Sequence, residues 1–345
     1  MLRLRFLSVM LISAFLLGSC NTKPKTNGGV PLNPSSTPDP IGLAPSQNPG
    51  SQPQAPENTA DSIGIAPGEG LVTPSGVPLV ERYPRPKGQV NILIFGSDFR
   101  PDAGYRTDVM LLLSLNPLKN TASLISFPRD LYVNIPGWQM QRLNTAQQHG
   151  GFALTQKTFE LNFGVHPDHY IMTNFEGFRA IITTLGGIDV VASKPLSDKC
   201  DLPKTAVLKE VDGFCNVSPG TVHLDADSAL WYARARYSTD DFDRTRRAQE
   251  VIQAIFKKIV SLEGLTKVPQ IYDQMKNYVE TDMRLDDMVA LAPLAVKLKD
   301  LNGVQLYRID RNYVNGWITP NGADVQIPHT EEIFNQIIAK ACYDQ

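Results

Sequence analysis

Val90-Asn91-Ile92-Leu93-Ile94-Phe95, Val109-Met110-Leu111-Leu112-Leu113-Ser114-Leu115 and Thr121-Ala122-Ser123-Leu124-Ile125-Ser126-Phe127 are three apolar runs set close together in the chain. None carries a helical period and each has the length of a strand, so they read as strands buried in a sheet. The last two are joined by Asn116-Pro117-Leu118-Lys119-Asn120, which is too short for a crossover and predicts a hairpin. Working outward from strands at 90–95, 109–115 and 122–127, further strands are expected at 131–135, 169–173, 188–192 and 304–309. Helices are expected at 152–162, 175–185, 226–232, 244–262, 268–278, 285–298 and 330–339. Strands alternating with helices in this way predict an α/β fold, an α-β-α layered domain with a mixed central sheet flanked by helices.

Charge stands directly on the ends of these runs: Ser97-Asp98-Phe99-Arg100, Arg106-Thr107-Asp108 and Pro128-Arg129-Asp130. Ligands of open α/β sheets bind in the crevice outside strand ends. A second basic block, Arg234-Ala235-Arg236, precedes Asp240-Asp241-Phe242-Asp243-Arg244-Thr245-Arg246-Arg247-Ala248-Gln249. Arg244 and Arg247 are three apart and share a helix face, whereas Arg246 points elsewhere, into solvent. Arginine is the residue for bidentate phosphate contact, so these groups with Arg100, Arg106 and Arg129 would make a pocket able to hold a pyrophosphate. Asp98, Asp108, Asp130 and Asp241 either pair with the arginines, worth about 0–1 kcal/mol each at a surface, or supply the carboxylates of a magnesium site. With a net charge of -2 over 345 residues, there is no general basic face for nucleic acid.

Arg3 and Arg5 precede an apolar run at 6–17 that ends in Gly18-Ser19-Cys20. Residues 1–19 read as a lipoprotein signal peptide with Cys20 as the lipidated mature N-terminus; an uncleaved anchor or an ordinary signal is the alternative. Every version places the chain outside the cytoplasm, and the lipoprotein reading anchors it to the membrane. Residues 20–87 are rich in Pro, Gly and Ser and read as a disordered tether, reaching up to about 200 Å at roughly 3 Å per residue. The folded domain is expected at 88–345, with its core motifs at 90–262 and the region 263–345 completing it. Cys200 and Cys215 have the spacing of a disulfide in an exported protein, contributing about 3 kcal/mol. Cys342 is left as a free thiol, and no second ligand pair accompanies any cysteine to make a zinc site. His149, His166, His169, His223 and His329 have no metal spacing; His149, beside Gly150-Gly151, is the one candidate for a substrate contact. Gly150-Gly151 and Gly186-Gly187 read as turn glycines, without the spacing of a phosphate-binding loop.

The motifs Gly96-Ser97-Asp98-Phe99-Arg100, Arg106-Thr107-Asp108, Ser126-Phe127-Pro128-Arg129-Asp130, Arg142-Leu143-Asn144, Gly150-Gly151, Leu185-Gly186-Gly187-Ile188-Asp189-Val190 and the block 234–249, in that order, closely resemble the LytR-CpsA-Psr family. The resemblance implies an extracytoplasmic, magnesium-dependent phosphotransferase that takes a glycopolymer from a polyprenyl pyrophosphate carrier and attaches it through a phosphodiester to peptidoglycan. With water in place of the acceptor, hydrolysis of the carrier, a pyrophosphatase activity, is the side reaction to expect. It further implies that Asp98 and Asp108 hold Mg2+ and that Arg100, Arg106, Arg129, Arg234, Arg236, Arg244 and Arg247 grip the pyrophosphate. Asp130 or Asp241 would take the proton of the attacking hydroxyl, and Asn144 and Gln249 would be further contacts. An apolar pocket for the prenyl tail would be lined by residues such as Leu113, Leu124, Phe159, Phe163, Phe175, Phe178, Ile181 and Ile182. The chain departs from the family where Arg-Gln-Gln is usual, reading Arg247-Ala248-Gln249, so Gln249 or Glu250 would have to replace a polar contact. That departure keeps an alternative in view, a non-catalytic polyprenyl-phosphate-binding lipoprotein that assists envelope assembly. A regulatory role is disfavoured, because no DNA-binding element is present.

Overall fold

A computed structural model describes residues 84–100, 104–259, 261, 270–273, 276–298 and 304–343, without the side chains of 98–100 and 104–106. The expected signal peptide, Cys20 and nearly all of the tether lie outside the described residues. Along the chain, β1 (Val90–Arg100), β2 (Gly104–Asn116) and β3 (Thr121–Phe127) are followed by the hairpin of β4 (Tyr132–Ile135) and β5 (Gln139–Arg142). Then come α1 (Ala146–Phe163), β6 (His169–Thr173), α2 (Phe175–Leu185) and β7 (Ile188–Ala192). A group of short strands, β8 (Leu196–Lys199), β9 (Glu210–Val211), β10 (Phe214–Val217) and β11 (Gly220–Leu224), leads into α3 (Ala226–Arg234) and α4 (Asp241–Ile259). The C-terminal part holds β12 (Val279–Thr281), α5 (Leu285–Lys297), β13 (Val304–Arg308), β14 (Val314–Ile318) and β15 (Asp324–Pro328). It ends in α6, an α-helical turn (Thr330–Ile333) that continues as a π-helix (Phe334–Tyr343).

The main sheet has the order β12-β6-β1-β2-β3-β13, antiparallel through β1-β2-β3 and parallel at β1-β6 and β3-β13. Its apolar residues alternate between faces, as a pleated strand requires. Leu93, Phe95, Met110, Leu112, Ile125 and Phe127 pack against Phe159 and Phe163 of α1 and Phe334, Ile337 and Ile338 of α6. Phe127 meets Phe159 and Phe163 edge-on, with both ring centroids 4.9 Å away. Ile92, Leu115 and Ala122 face the other way, onto Leu294 of α5 with Phe256 of α4 beside them. Burying each such side chain is worth about 1.5–3 kcal/mol, so the sheet is held between two helical layers. A separate cluster fastens α2, α3 and α4 to β7, β8 and β10, and Cys200 and Cys215 form a disulfide inside this region. Among the described residues no helix is long and apolar enough to cross a membrane.

Three local features depart from the sequence reading. First, charge was expected at the strand ends, but the β1–β2 ladder outruns the sheet. β1 leaves β6 at Gly96↔Thr173 and β2 leaves β3 at Met110↔Phe127, while the two strands stay paired as far as Arg100↔Gly104. The register shifts from Gly96↔Val109 to Ser97↔Thr107, which leaves Asp108 as the extra residue of a bulge. Second, α1 begins before 152 and is interrupted at Gly150 and Gly151. Gly151 has φ +62°, a conformation that favours glycine, and a Cβ on Gly150 would come within 2.7 Å of Leu154. Third, α4 begins at Asp241, where Asp240 Oδ1 accepts from Asp243 N at 2.8 Å and acidic residues in the first turn suit the helix dipole. The helix expected at 268–278 is helical over its described residues, 270–273 and 276–278.

Candidate functional site

Where the sheet ends and the β1–β2 ladder goes on alone, three carboxylates and three guanidinium groups interleave. The bulge turns Asp108 out of the ladder, and Arg129, just past β3, donates Nη1 to Asp108 Oδ1 at 2.6 Å. Arg129 Nε donates to Asp130 Oδ2 at 3.2 Å and lies 3.9 Å from Asp241 Oδ1. Arg142, at the end of β5, donates Nη1 to Asp130 Oδ1 at 3.3 Å. From the first turn of α4, Arg244 Nη2 sits 2.8 Å from Asp241 Oδ1 and donates to the Asp108 carbonyl at 3.2 Å. A single 3-10 turn, Leu143–Thr145, fixes the backbone beneath: Asn144 N donates to Arg129 O at 3.2 Å, and Asn144 O accepts from Thr107 Oγ1 at 3.1 Å.

The electrostatics leave cationic capacity in reserve. Burial opposes the charge of Arg129, but its hydrogen bond to Asp108 and the fields of Asp130, Asp108 and Asp241 outweigh that and raise its pKa above the ordinary value. Arg244 goes the other way: burial lowers its pKa, and the neighbouring Arg129 and Arg236 lower it further, against Asp241 and Asp108. A guanidinium depressed by like charges is stabilised when an anion arrives. Arg234 and Arg236 are exposed beside it, with no ion pair among the described residues, and Arg234 lies 4.3 Å above the Phe175 ring.

Behind these groups opens a cavity of about 240 Å³ between the sheet and α2, α3 and α4. Asp108, Arg234, Arg236 and Arg244 stand at its mouth with Gly96 and Ser97; Ile94, Phe175, Phe178, Leu230, Ala248, Val251 and Ile252 form its apolar walls. A Cβ on Gly96 would come within 3.1 Å of Val109 Cβ, so a side chain there would press on this wall. A second, more polar cleft of about 300 Å³, reaching Lys276 and Glu280, shares Ser97, Thr173 and Asn174 with the first. Of the eight residues expected to line an apolar pocket, Phe175 and Phe178 do so. Phe159 and Phe163 belong to the opposite face of the sheet, Leu113, Ile181 and Ile182 to packed clusters, and Leu124 is buried within β3.

The remaining candidates fall into two groups. The side chains of Asp98, Arg100 and Arg106 lie outside the described residues; their backbones place Asp98 opposite Arg106 on the ladder. Arg247 stands apart from the cluster. It is fully buried and donates to Tyr232 O at 2.8 Å, Thr239 Oγ1 at 3.2 Å, Asp243 and Ala235 O. Gln249 donates to Leu124 O at 3.0 Å and Tyr307 O at 3.1 Å, tying α4 to the sheet. Glu250 accepts from Ser193, Tyr232 and Arg246. Neither therefore replaces a polar group at Ala248, which faces the cavity. Arg246 is not solvated as its helical position suggested; it is buried against Asp243 and Glu250. Asn144 reaches the site through its backbone, with its side-chain Oδ1 buried and without a hydrogen-bond partner among the described residues. His149 stacks on Trp138 at 3.8 Å and meets Gln141 at 3.3 Å, away from the cluster. Arg142 is the site residue that sequence reasoning missed: it was legible only as part of a motif, because its partner Asp130 sits across a hairpin.

Comparison with known proteins follows the same lines. The sequence profile of the LytR_cpsA_psr family matches residues 69–340. The polyisoprenyl-teichoic acid–peptidoglycan teichoic acid transferase TagT of Bacillus subtilis (strain 168) is 30% identical over 241 residues, covering 68% of this chain and 73% of TagT. The transferase of the same designation, TagU, from Oceanobacillus iheyensis is 35% identical over 213 residues, covering 59% of this chain and 62% of TagU. The crystal structure of B. subtilis TagV superposes with a TM-score of 0.60 at 24% identity, over 74% of this chain and 97% of that one.

Proposed function

The chain belongs to the LytR_cpsA_psr family, and from that premise we propose that it is an extracytoplasmic transferase moving a glycopolymer from a polyprenyl pyrophosphate carrier to peptidoglycan. One observation carries the reading: a single cavity has a guanidinium-rich mouth and apolar walls. A diphosphate on an isoprenoid chain has that same polarity, one charged end and one that water rejects.

In the proposed reaction the acceptor hydroxyl oxygen bonds to the phosphorus bearing the glycopolymer while the bond from that phosphorus to the prenyl phosphate oxygen breaks. The hydroxyl proton passes to a carboxylate, Asp130 or Asp241, and the products are a phosphodiester and prenyl monophosphate. Water in place of the acceptor would give the hydrolytic side reaction. Transfer of this kind depends chiefly on positioning and on neutralising charge. Arg129 is held rigidly for that task between Asp108 and Asp130, while Arg234, Arg236 and Arg244 can turn to the phosphate oxygens.

Asp98 and Asp108 would hold magnesium. Arg129 engages Oδ1 of Asp108, and among the described residues no hydrogen bond takes Oδ2, which would serve as the metal ligand. Among the described residues, which do not include the Asp98 side chain, no group of three or more His, Cys, Asp or Glu side chains could hold a metal ion, so the site would rest on Asp108 together with Asp98. An oxygen-only set with few protein ligands suits a hard cation that keeps its waters and takes substrate phosphates. Once bound, it would offset charge developing on the phosphate oxygens. Lipidation at Cys20 with a tether over 20–87 would keep the domain close to its membrane-borne carrier.

The test is Asp108→Ala, assayed for transfer from a prenyl-pyrophosphate glycopolymer to peptidoglycan, beside wild type in chelator with and without added magnesium. Transfer is expected to fall by about 100-fold or more with thermal unfolding unchanged, and chelation to act likewise and be reversed by magnesium. Transfer retained in the variant would sink the metal assignment. Ala248 supports a second reading, a protein that holds the prenyl phosphate without turnover, because Gln249 and Glu250 bond elsewhere and leave the position of Ala248 without a polar group. Co-purified prenyl phosphate with no transfer in magnesium and acceptor would favour it.

A further inference from the structure

The site has a second flank, on the side away from the cavity. Alternation along the chain here buries Leu131, Val133 and Ile135 under α1 and turns Tyr132 outward, half-buried. Tyr132 is the cross-strand partner of Arg142, whose guanidinium reaches Asp130. Against Tyr132 lies Trp317 of β14, with ring centroids 5.7 Å apart and the rings tilted by 58°. Trp317 is 42% exposed. Its hairpin is tied to the site itself: Gln326 N, on the neighbouring strand β15, donates to Asp130 O at 2.9 Å, and Leu131 bridges to Gln326.

A continuous strip therefore runs Asp108, Arg129, Asp130, Arg142, Tyr132, Trp317, from charge to aromatic surface. An exposed indole beside a guanidinium–carboxylate pair is the chemistry of a pyranose site. The indole face covers the apolar C–H side of a sugar ring, and the charged pair hydrogen-bonds its hydroxyls.

Geometry selects which saccharide this is. In a displacement at phosphorus the entering and leaving oxygens lie roughly in line on opposite sides. The prenyl phosphate leaves toward the cavity, on the face of the sheet covered by α2 and α4, whereas the strip lies beyond Arg129 on the face covered by α1. Resting on the transferase reading of this site, we infer that Tyr132 and Trp317 form a sugar-stacking subsite for the acceptor glycan strand. The strand's hydroxyl is thereby delivered to the Asp130 side of the phosphorus, which makes Asp130, rather than Asp241, the carboxylate that takes the proton.

The experiment uses the full chain with soluble peptidoglycan glycan strands as the probe, in equilibrium binding and in steady-state transfer, with Trp317→Ala and Trp317→Phe. Trp317→Ala is expected to weaken strand binding by about tenfold or more and raise the acceptor KM equally, with donor KM and kcat within about twofold. Trp317→Phe should recover most of the loss, because it restores an aromatic face. Unchanged strand binding in Trp317→Ala overturns the inference, as does a rise confined to the donor KM, which would assign the shelf to the donor polymer. A wild-type chain that binds no strand overturns it too. Binding of prenyl pyrophosphate by that same wild-type sample decides separately whether the transferase reading stands.

Discussion

Arg244 and Arg247 lie three positions apart on α4 and do opposite things. Three residues of α-helix turn about 300°, so the two side chains start about 60° apart, and their length carries the guanidinium groups to different neighbours. Arg244 reaches the Asp108 carbonyl at the cavity mouth, and Arg247 is enclosed by the carbonyls of Tyr232 and Ala235. Spacing revealed a shared side but could not reveal reach, and for the same reason it sent the buried Arg246 into solvent. Arg247→Met is therefore expected to lower unfolding free energy by about 3–5 kcal/mol, since it leaves two buried carbonyls without a donor and the Asp243 carboxylate with Arg246 alone. Arg244→Ala should cost about 1 kcal/mol or less in the same denaturant titration while losing affinity for inorganic pyrophosphate. Equal stabilities for the two variants would refute this division of roles.

At the scale of elements, β1, β2 and β3 were legible because a sheet covered on both faces demands unbroken apolar runs. Their extent was not. The ladder beyond the sheet consists of polar residues, and the bulge at Asp108 is a matter of register that no composition encodes. Gly150-Gly151 was legible as a boundary and interrupts α1 as one. The strands β8, β9, β10 and β11 were missed because they are two to five residues long with partly exposed faces. The Cys200–Cys215 disulfide ties this group of short strands together. Replacing both cysteines by serine is expected to lower stability by about 3 kcal/mol in denaturant and to leave prenyl-pyrophosphate binding within about twofold, as the cavity lies elsewhere. A larger loss of binding than of stability would mean that the strand group supports the site directly.

Over the whole molecule, the layered architecture followed from the order of strands and helices, but the cavity did not. Its walls come from β1, β2, α2, α3 and α4, and whether Phe159 or Phe178 lines a void depends on the side of the sheet each helix covers. Ala248 gives a direct test. Ala248→Phe should fill the void, reducing prenyl-pyrophosphate binding by at least about tenfold while inorganic pyrophosphate still binds and the melting temperature does not fall; overpacking by about 1–3 kcal/mol would instead show that the space is not available. The division between mouth and walls has a kinetic consequence. In the proposed reaction the walls would grip an isoprenoid chain alike before, during and after bond exchange, so their contribution would be uniform binding: it would lower KM, slow departure of the spent carrier and leave the chemical barrier untouched. Acceleration must come from the few charged groups whose surroundings change as the phosphorus exchanges partners. A shorter prenyl chain should then bind less tightly and react just as fast once bound.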